Sequence, residues 1–179
     1  MTENEFYKKL NDLDICLSDK QKELFRKYYN LLIEYNTKTN LTTIIDKDDV
    51  YLKHFFDSLL VSKFYKLNNE KVLDIGTGPG FPGVPLLICF PNIHLTVLDS
   101  NNKKTTFLQE LKQELDLNFI IVNDRAENYI KTTREQFDIV VSRAVANLRI
   151  LTELSIPFLK VNGLFISYKS NIEIGRAHV

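Results

Sequence analysis

The segment DIGTGPGFPG, residues 74–83, follows the apolar run KVL and contains four glycines and two prolines. A glycine-rich turn after a strand lets the backbone approach a ligand closely. In a doubly wound sheet, ligands bind beyond the carboxyl ends of the strands, usually at the end of the first strand. We therefore predict that Gly76, Gly78 and Gly80 belong to a nucleotide-binding loop. A turn without a ligand is the less favoured interpretation.

From Lys71 onward, short apolar runs alternate with segments long enough to form helices. This βαβ alternation, with nearly continuous apolar strands, is typical of a parallel sheet that is covered by helices on both faces. The sequence therefore predicts an α/β, doubly wound, Rossmann-like fold. The predicted strands cover residues 71–75, 94–99, 119–122, 137–142 and 163–168.

The residues before the first strand have a helical pattern. Residues 2–5 and 18–21 have the spacing of capping boxes, and apolar residues recur at helical spacing in 24–35. Asp46 or Asp48 is predicted to cap a third helix. We therefore expect a helical N-terminal extension in front of the sheet.

We predict one globular unit with three parts. The helical extension covers residues 1–66, and the core that contains the sheet covers residues 67–170. Residues 171–179 end in IGRAHV, which resembles a translated sequencing adapter more than a natural carboxyl terminus. We therefore expect this tail to be non-native and the natural chain to be longer.

The composition is that of an ordinary globular protein, with 44% hydrophobic and 26% charged residues in a chain of 179. Basic and acidic residues balance at 23 each, so any contact with nucleic acid must come from a local patch. The two cysteines, Cys16 and Cys89, form neither a disulfide framework nor a zinc motif. No targeting segment or membrane span is predicted, so the expected location is the cytoplasm.

Phe81 and the two prolines of the loop argue against a dinucleotide. A dinucleotide fingerprint requires glycine at its sixth position, where helix amides hold the pyrophosphate, and here that position is Phe81. Pro79 and Pro82 remove further amide donors. Asp74 suits a cofactor that carries positive charge. S-adenosylmethionine has a sulfonium and an ammonium group on an adenosine, and we predict it as the cofactor.

Two later positions are candidate contacts for the adenosine. Asp99 ends the second predicted strand, where an acidic side chain accepts hydrogen bonds from the ribose hydroxyls. The alternative is that Asp99 only caps the next helix. Ala126 and Glu127 follow the third predicted strand, where they flank the adenine in one interpretation and begin a helix in the other.

Five segments together resemble one bacterial family, the small-subunit ribosomal RNA guanine-N7 methyltransferases, also called glucose-inhibited division protein B. The segments are NLTTI (40–44), HFFDSL (54–59), LDIGTGPGFPGVPL (73–86), VLDS (97–100) and SRAVANL (142–148). The resemblance implies a class I methyltransferase fold. It also implies methyl transfer from S-adenosylmethionine to N7 of a guanosine in 16S rRNA, free or within a precursor of the small ribosomal subunit.

The resemblance also implies which residues contact the cofactor. The matching positions are Gly76, Phe81, Ala126, Glu127 and Arg143. The family continues beyond the fifth strand with a helix and a terminal hairpin that complete the sheet, and this sequence ends without them.

Guanine N7 carries a free lone pair, so it can attack a methyl group without first losing a proton. We therefore predict no general base, and expect catalysis to come from holding nitrogen, methyl carbon and sulfur in line. Arg143 follows the fourth predicted strand, and its guanidinium is predicted to reach the cofactor, the base or a phosphate. The alternative is a salt bridge at the strand end.

Several further residues are candidates for substrate binding. His54 and Asp57 lie three residues apart on one predicted helix face, where they either line an RNA entrance or pair with each other. Arg125 and Lys169 follow predicted strands and are candidate phosphate contacts. The histidines have no ligand-like spacing, so no metal is predicted.

Two other functions are kept as alternatives. One is a methyltransferase for a small metabolite, which the neutral net charge favours. The other is a non-catalytic nucleotide-binding module. For the rRNA enzyme, we expect a monomer.

Overall fold

The computed structural model describes residues 1–143 and 147–168, which contain one sheet of five parallel strands. The strands are β1 (Lys71–Ile75), β2 (His94–Asp99), β3 (Ile120–Asn123), β4 (Phe137–Arg143) and β5 (Leu159–Tyr168). Their order is β3-β2-β1-β4-β5, so β1 is the point where the strand order reverses. The predicted α/β, doubly wound fold and its parallel sheet are confirmed.

The strand boundaries differ from the prediction at β5. This strand begins at Leu159, four residues before the predicted start at Gly163. Leu159 pairs with Phe137, and the register shifts before Ile139 pairs with Leu164. The shift lies where Asn162 adopts a left-handed φ of 67°, which is typical of a bulge. Asn162 and Gly163 therefore lie at an irregularity within β5, and the strand does not begin at Gly163 as predicted.

The described residues form seven helical segments, of which three precede the first strand and four follow it. They are α1 (Glu3–Asn11), α2 (Asp19–Thr39), α3 (47–63), α4 (Gly83–Cys89), α5 (Asn102–Glu114), α6 (Ala126–Tyr129) and α7 (Leu148–Ser155, followed by a 3-10 turn at Ile156–Phe158). The predicted capping boxes at 2–5 and 18–21 are both present. None of the described helices is long and apolar enough to cross a membrane.

Helix α3 is irregular. Its cap is Asp46, whose carboxylate accepts a hydrogen bond from the backbone of Asp49. It begins as an α-helix at Lys47–Val50, widens into a π-helical turn at Tyr51–Phe56, and ends in α-helical Asp57–Leu59 and 3-10 Leu60–Lys63. A π-helical turn inside a helix is frequent at functional sites.

The N-terminal helices share one hydrophobic cluster with the sheet. Their aromatic rings pack edge to face or tilted, and Phe55 lies 5.0 Å from Phe25 and 5.3 Å from Tyr28, between ring centroids. Phe81, which lies after β1, belongs to the same cluster. Helix α2 also packs against α4 and α5. The extension is therefore packed directly behind the glycine-rich loop.

Some predicted features lie outside the described residues. They are Lys169, the tail 171–179, and residues 144–146 of the SRAVANL segment.

Candidate functional site

A cavity of about 630 Å³ lies beyond the carboxyl ends of β1 to β4. Eight of the predicted site residues line it: Gly76, Gly78, Phe81, Asp99, Arg125, Ala126, Glu127 and Arg143. Its other lining residues are Ile75, Thr77, Pro79, Leu98, Ser100, Asn101, Lys104, Asp124 and Leu154. Of the described candidates, Asp74, Gly80, His54 and Asp57 lie outside this lining.

Two glycines of the loop have different structural tasks. Gly78 has a φ of +60°, and a Cβ built there would meet no protein atom within 4 Å. Gly80 has a φ of +107°, and its Cβ would lie 2.5 Å from the hydroxyl oxygen of Tyr28. Side chains rarely adopt such φ values, so both positions favour glycine. Gly78 thus leaves open space at the cavity, whereas Gly80 permits the loop to pack on α2.

Every backbone N–H of residues 76–84 donates a hydrogen bond within the protein. Those of Gly76 and Thr77 donate to the carbonyl of Leu98, at the end of β2. Gly78 and Gly83 donate to the carboxylates of Asp99 and Asp74, respectively. Gly80 and Phe81 donate to the carbonyl of Thr77, and Val84 donates to the carbonyl of Gly80. Pro79 and Pro82 have no N–H. The loop therefore offers no amide cradle for a pyrophosphate, as its prolines and Phe81 indicate.

Asp74 lies beneath the loop and is fully buried. Its Oδ2 accepts hydrogen bonds from the Thr77 hydroxyl at 2.6 Å and the Gly83 N–H at 2.8 Å. Burial raises the pKa of Asp74 to about 6, and the two hydrogen bonds oppose this shift. The carboxylate joins both ends of the loop and is placed to fix its shape.

Asp99 lies at the end of β2 with its carboxylate at the cavity. Its Oδ2 accepts a hydrogen bond from the Gly78 N–H at 2.9 Å, and its Oδ1 accepts one from the Asn101 N–H. The N-cap of α5 is Asn101, not Asp99. The alternative that Asp99 caps this helix is therefore wrong. Each carboxylate oxygen has a second lone pair, so Asp99 retains acceptors for a ligand.

Ala126 and Glu127 lie at a helix start that borders the cavity, and their contact with the adenine stays a prediction. They begin the short helix α6, which follows β3, and they also line the cavity. Arg125 precedes them, is exposed, and lies on the same wall.

Arg143, the last residue of β4, lies beside β1 because Ser142 pairs with Ile75. Its Nη1 donates to the carbonyl of Lys53 at 3.0 Å and to Asp57 Oδ2 at 3.3 Å. Its Nη2 lies 3.0 Å from His54 Nδ1. His54 and Asp57 therefore meet at Arg143, and the predicted direct pair between them is replaced by two contacts to the guanidinium.

Phe81 packs among aromatic and cationic groups. Its ring stacks with those of His54 and Tyr28, at centroid distances of 4.5 and 5.2 Å. The Arg143 guanidinium carbon lies 5.0 Å from the Phe81 ring centroid, within cation–π range. Phe81 is only 2% exposed. Most of its surface therefore supports the loop and Arg143, and only an edge lines the cavity.

Two supporting residues are missed by the sequence analysis. The Tyr28 hydroxyl donates to the Pro79 carbonyl at 2.6 Å, and Gln21 Nε2 donates to the Ile88 carbonyl at 2.7 Å. Their partners lie 51 and 67 residues further along the chain. In the sequence, Tyr28 is indistinguishable from the other apolar positions of α2, so no local signal identifies it.

The described residues contain no group of three or more histidine, cysteine, aspartate or glutamate side chains arranged to hold a metal ion.

The chain is similar to known proteins over most of its length. A family model described as GidB, rRNA small subunit methyltransferase G, matches residues 21–177. A protein of Acholeplasma laidlawii named ribosomal RNA small subunit methyltransferase G is 51% identical over 162 residues, covering 90% of this chain and 70% of that protein. A protein of the same name from Streptococcus uberis is 48% identical over 175 residues, covering 95% and 74% of the two chains.

Solved structures share the fold. A precorrin-6Y C5,15-methyltransferase from Geobacter metallireducens matches with a TM-score of 0.51 and 18% identity, covering 62% of this chain and 60% of that one. TYW2 of M. jannaschii, solved with AdoMet, matches with a TM-score of 0.53 and 18% identity, covering 66% and 51%. These matches confirm the predicted class I, Rossmann-like fold. The chain belongs to the GidB family, rRNA small subunit methyltransferase G, which confirms the predicted family and the predicted methyl donor, S-adenosyl-L-methionine.

Proposed function

We propose that this protein transfers a methyl group from S-adenosyl-L-methionine to N7 of a guanosine in 16S rRNA. The observation that carries the proposal is the combination of a cavity at the ends of β1 and β2 with a loop whose amides are all engaged internally. Such a site suits an adenosine without phosphates. Both relatives described above carry the name of a ribosomal RNA small subunit methyltransferase, which supports rRNA as the substrate.

The residues present fit the cofactor. Asp99 has its carboxylate oxygens at the cavity, at the end of β2, and we assign it the ribose hydroxyls. Ala126 and Glu127 form the wall that we assign to the adenine. Gly76 and Gly78 allow the ligand to approach the backbone closely. Asp74 and Gly80 lie outside the cavity lining, so we assign them the support of this loop.

Arg143 is the side chain that we assign to positioning at the reacting end of the cavity. Arginine has five N–H donors. Three are used by the Lys53 carbonyl, Asp57 and His54, which leaves two that are not engaged by the residues that the structure describes. These donors suit an anionic group, either the carboxylate of the cofactor or a phosphate of the RNA. Arg125, on the opposite wall, is proposed as a further phosphate contact.

When bound, S-adenosylmethionine supplies an electrophilic methyl group on a sulfonium. Guanine N7 is an unprotonated acceptor, so the protein need not remove a proton. The task of the residues around the cavity is then to orient the base and to exclude water. His54, the histidine nearest to Arg143, is not needed as a base in this mechanism. We expect the protein to act in the cytoplasm as a monomer.

The test is transfer of labelled methyl groups from S-adenosylmethionine into 16S rRNA, offered both as naked RNA and as small ribosomal subunits. We expect the label in 7-methylguanine after digestion. Label in another base would refute the N7 assignment. Unlabelled RNA together with labelled small metabolites would favour the small-molecule alternative. Calorimetric titration with S-adenosylmethionine and NAD is the second test, and tighter binding of NAD would refute the cofactor site.

A further inference from the structure

The π-helical turn of α3 and the aspartate that follows it supply three acceptors for Arg143, which belong to Lys53, His54 and Asp57. In a regular α-helix, the Asp57 N–H would donate to the Lys53 carbonyl. Here it donates to the carbonyls of Leu52 and His54 instead. The Lys53 carbonyl is thus without its α-helical donor and accepts from Arg143 Nη1 at 3.0 Å. The local widening of the helix therefore provides a backbone acceptor for the guanidinium.

The contacts of His54 define which of its ring nitrogens carries the proton. A guanidinium has no acceptor, so His54 Nδ1 must accept from Arg143 Nη2. Burial and the charge of Arg143 lower the pKa of His54 to about 4, so the imidazole is neutral at pH 7. Its proton is then on Nε2, which donates to the Thr42 hydroxyl at 3.0 Å. Thr42 and Arg143 hold the ring from both sides.

We propose that His54 and Asp57 are positioning residues that act through Arg143: with the Lys53 carbonyl, they hold its guanidinium in the cavity. Only 16% of the Arg143 side chain is exposed, so these acceptors limit where its remaining N–H donors can point. Phe81 restrains the guanidinium from a further side. The inference rests on the proposed function and on one of the two partners named there for Arg143, the carboxylate of bound S-adenosylmethionine. This positioning role takes the place of the RNA contact that the sequence offers as one interpretation of His54 and Asp57.

Two substitutions of His54 separate its two contacts. An asparagine places an amide oxygen near the position of Nδ1 and keeps an acceptor for Arg143. A glutamine reaches the position of Nε2 and keeps a partner for Thr42 only. Both lose the stacking on Phe81, so we expect similar losses of thermal stability. Calorimetry should show roughly tenfold weaker binding of S-adenosylmethionine for His54→Gln, and a change of about threefold or less for His54→Asn.

The decisive measurement is a double-mutant cycle with Arg143→Ala. If His54 acts through Arg143, then His54→Gln should have almost no further effect on cofactor affinity in the Arg143→Ala background. The same holds for Asp57→Ala. Matched controls are His94→Gln and Asp49→Ala, which change an exposed histidine at the start of β2 and an aspartate that pairs with Lys53 on the surface of α3. We expect both controls to leave the affinity unchanged.

The outcomes distinguish this inference from the proposed function. Wild-type protein that binds the cofactor, with additive effects of His54→Gln and Arg143→Ala, would overturn the positioning role and leave the function intact. Equal affinities of His54→Asn and His54→Gln would also overturn it. Wild-type protein that does not bind S-adenosylmethionine would refute the proposed cofactor site and the positioning role together.

Discussion

Replacement of Gly78 by alanine should weaken binding of S-adenosylmethionine while the fold is kept. The built Cβ meets no protein atom within 4 Å, so the methyl group enters the cavity without an internal clash. The left-handed φ of +60° costs an alanine roughly 1–2 kcal/mol. For a domain of this size, that corresponds to a fall in Tm of roughly 2–8 °C. A methyl group in a filled site costs roughly 1–3 kcal/mol, or about 5- to 150-fold in Kd.

The matched control is Gly80→Ala, because it adds the same methyl group to the same loop. Its Cβ would lie 2.5 Å from the Tyr28 hydroxyl oxygen and 2.9 Å from Val84 Cγ2. We therefore expect a larger loss of stability than for Gly78→Ala. Removal of the hydroxyl in Gly80→Ala/Tyr28→Phe should restore part of this loss, so the double variant should be less destabilised than the sum of its parts.

The assays are calorimetric titration with S-adenosylmethionine and thermal unfolding of each variant. We expect Gly78→Ala to weaken cofactor binding although most of the protein remains folded. For Gly80→Ala, we expect the fall in Tm to be the main effect. Unchanged affinity in Gly78→Ala would refute the placement of the cofactor against the loop. Greater destabilisation by Gly78→Ala than by Gly80→Ala would refute the assignment of open space to Gly78.

Three further changes test the surrounding residues. Asp99→Ala removes the acceptor of the Gly78 and Asn101 N–H groups, so it should cost roughly 1–3 kcal/mol in stability and also weaken cofactor binding; calorimetry that finds wild-type affinity would contradict its assigned role. Arg143→Ala should lower the methyl-transfer rate by a factor that, expressed as a free energy, exceeds its loss in free energy of unfolding. Equal losses would indicate that Arg143 has only a structural role. Burial raises the pKa of Asp74 from 3.8 to about 6, so its contribution to stability falls as pH rises from about 4 to 6. Denaturant titrations should therefore show that the stability of Asp74→Asn relative to wild type increases over that pH range, by up to about 3 kcal/mol, and a decrease would be inconsistent with the raised pKa.

The sheet and the glycine-rich loop could be predicted because their signals are local. Continuous apolar runs identify β1 to β4 to within about one residue, and capping-box spacing identifies the first two helix starts. The position of Arg143 beside β1 follows from the strand order of a doubly wound sheet. These features depend on periodicity and spacing, which a single sequence displays.

The support of the site could not be predicted in the same way. The contacts of Arg143 with Lys53, His54 and Asp57 join positions 86 to 90 residues apart. They require the widened turn of α3, which no residue of HFFDSL indicates by its type. The sequence predicts that Asp74 faces a positive charge, whereas the structure buries it under the loop, where it accepts hydrogen bonds from Thr77 and Gly83. Such arrangements arise from tertiary packing.

The shared aromatic cluster has a consequence for synthesis. Chains are made from the amino terminus, so Tyr28 and His54 leave the ribosome before Phe81, the ring on which both stack. Until residue 81 has emerged, the extension lacks the surface that covers these rings and exposes apolar groups to water. The loop in turn lacks one of its hydrogen bonds until the Tyr28 hydroxyl donates to the Pro79 carbonyl. The site that we assign to the methyl donor therefore cannot be complete before Tyr28, Phe81 and Arg143 have all been synthesised and have packed against one another.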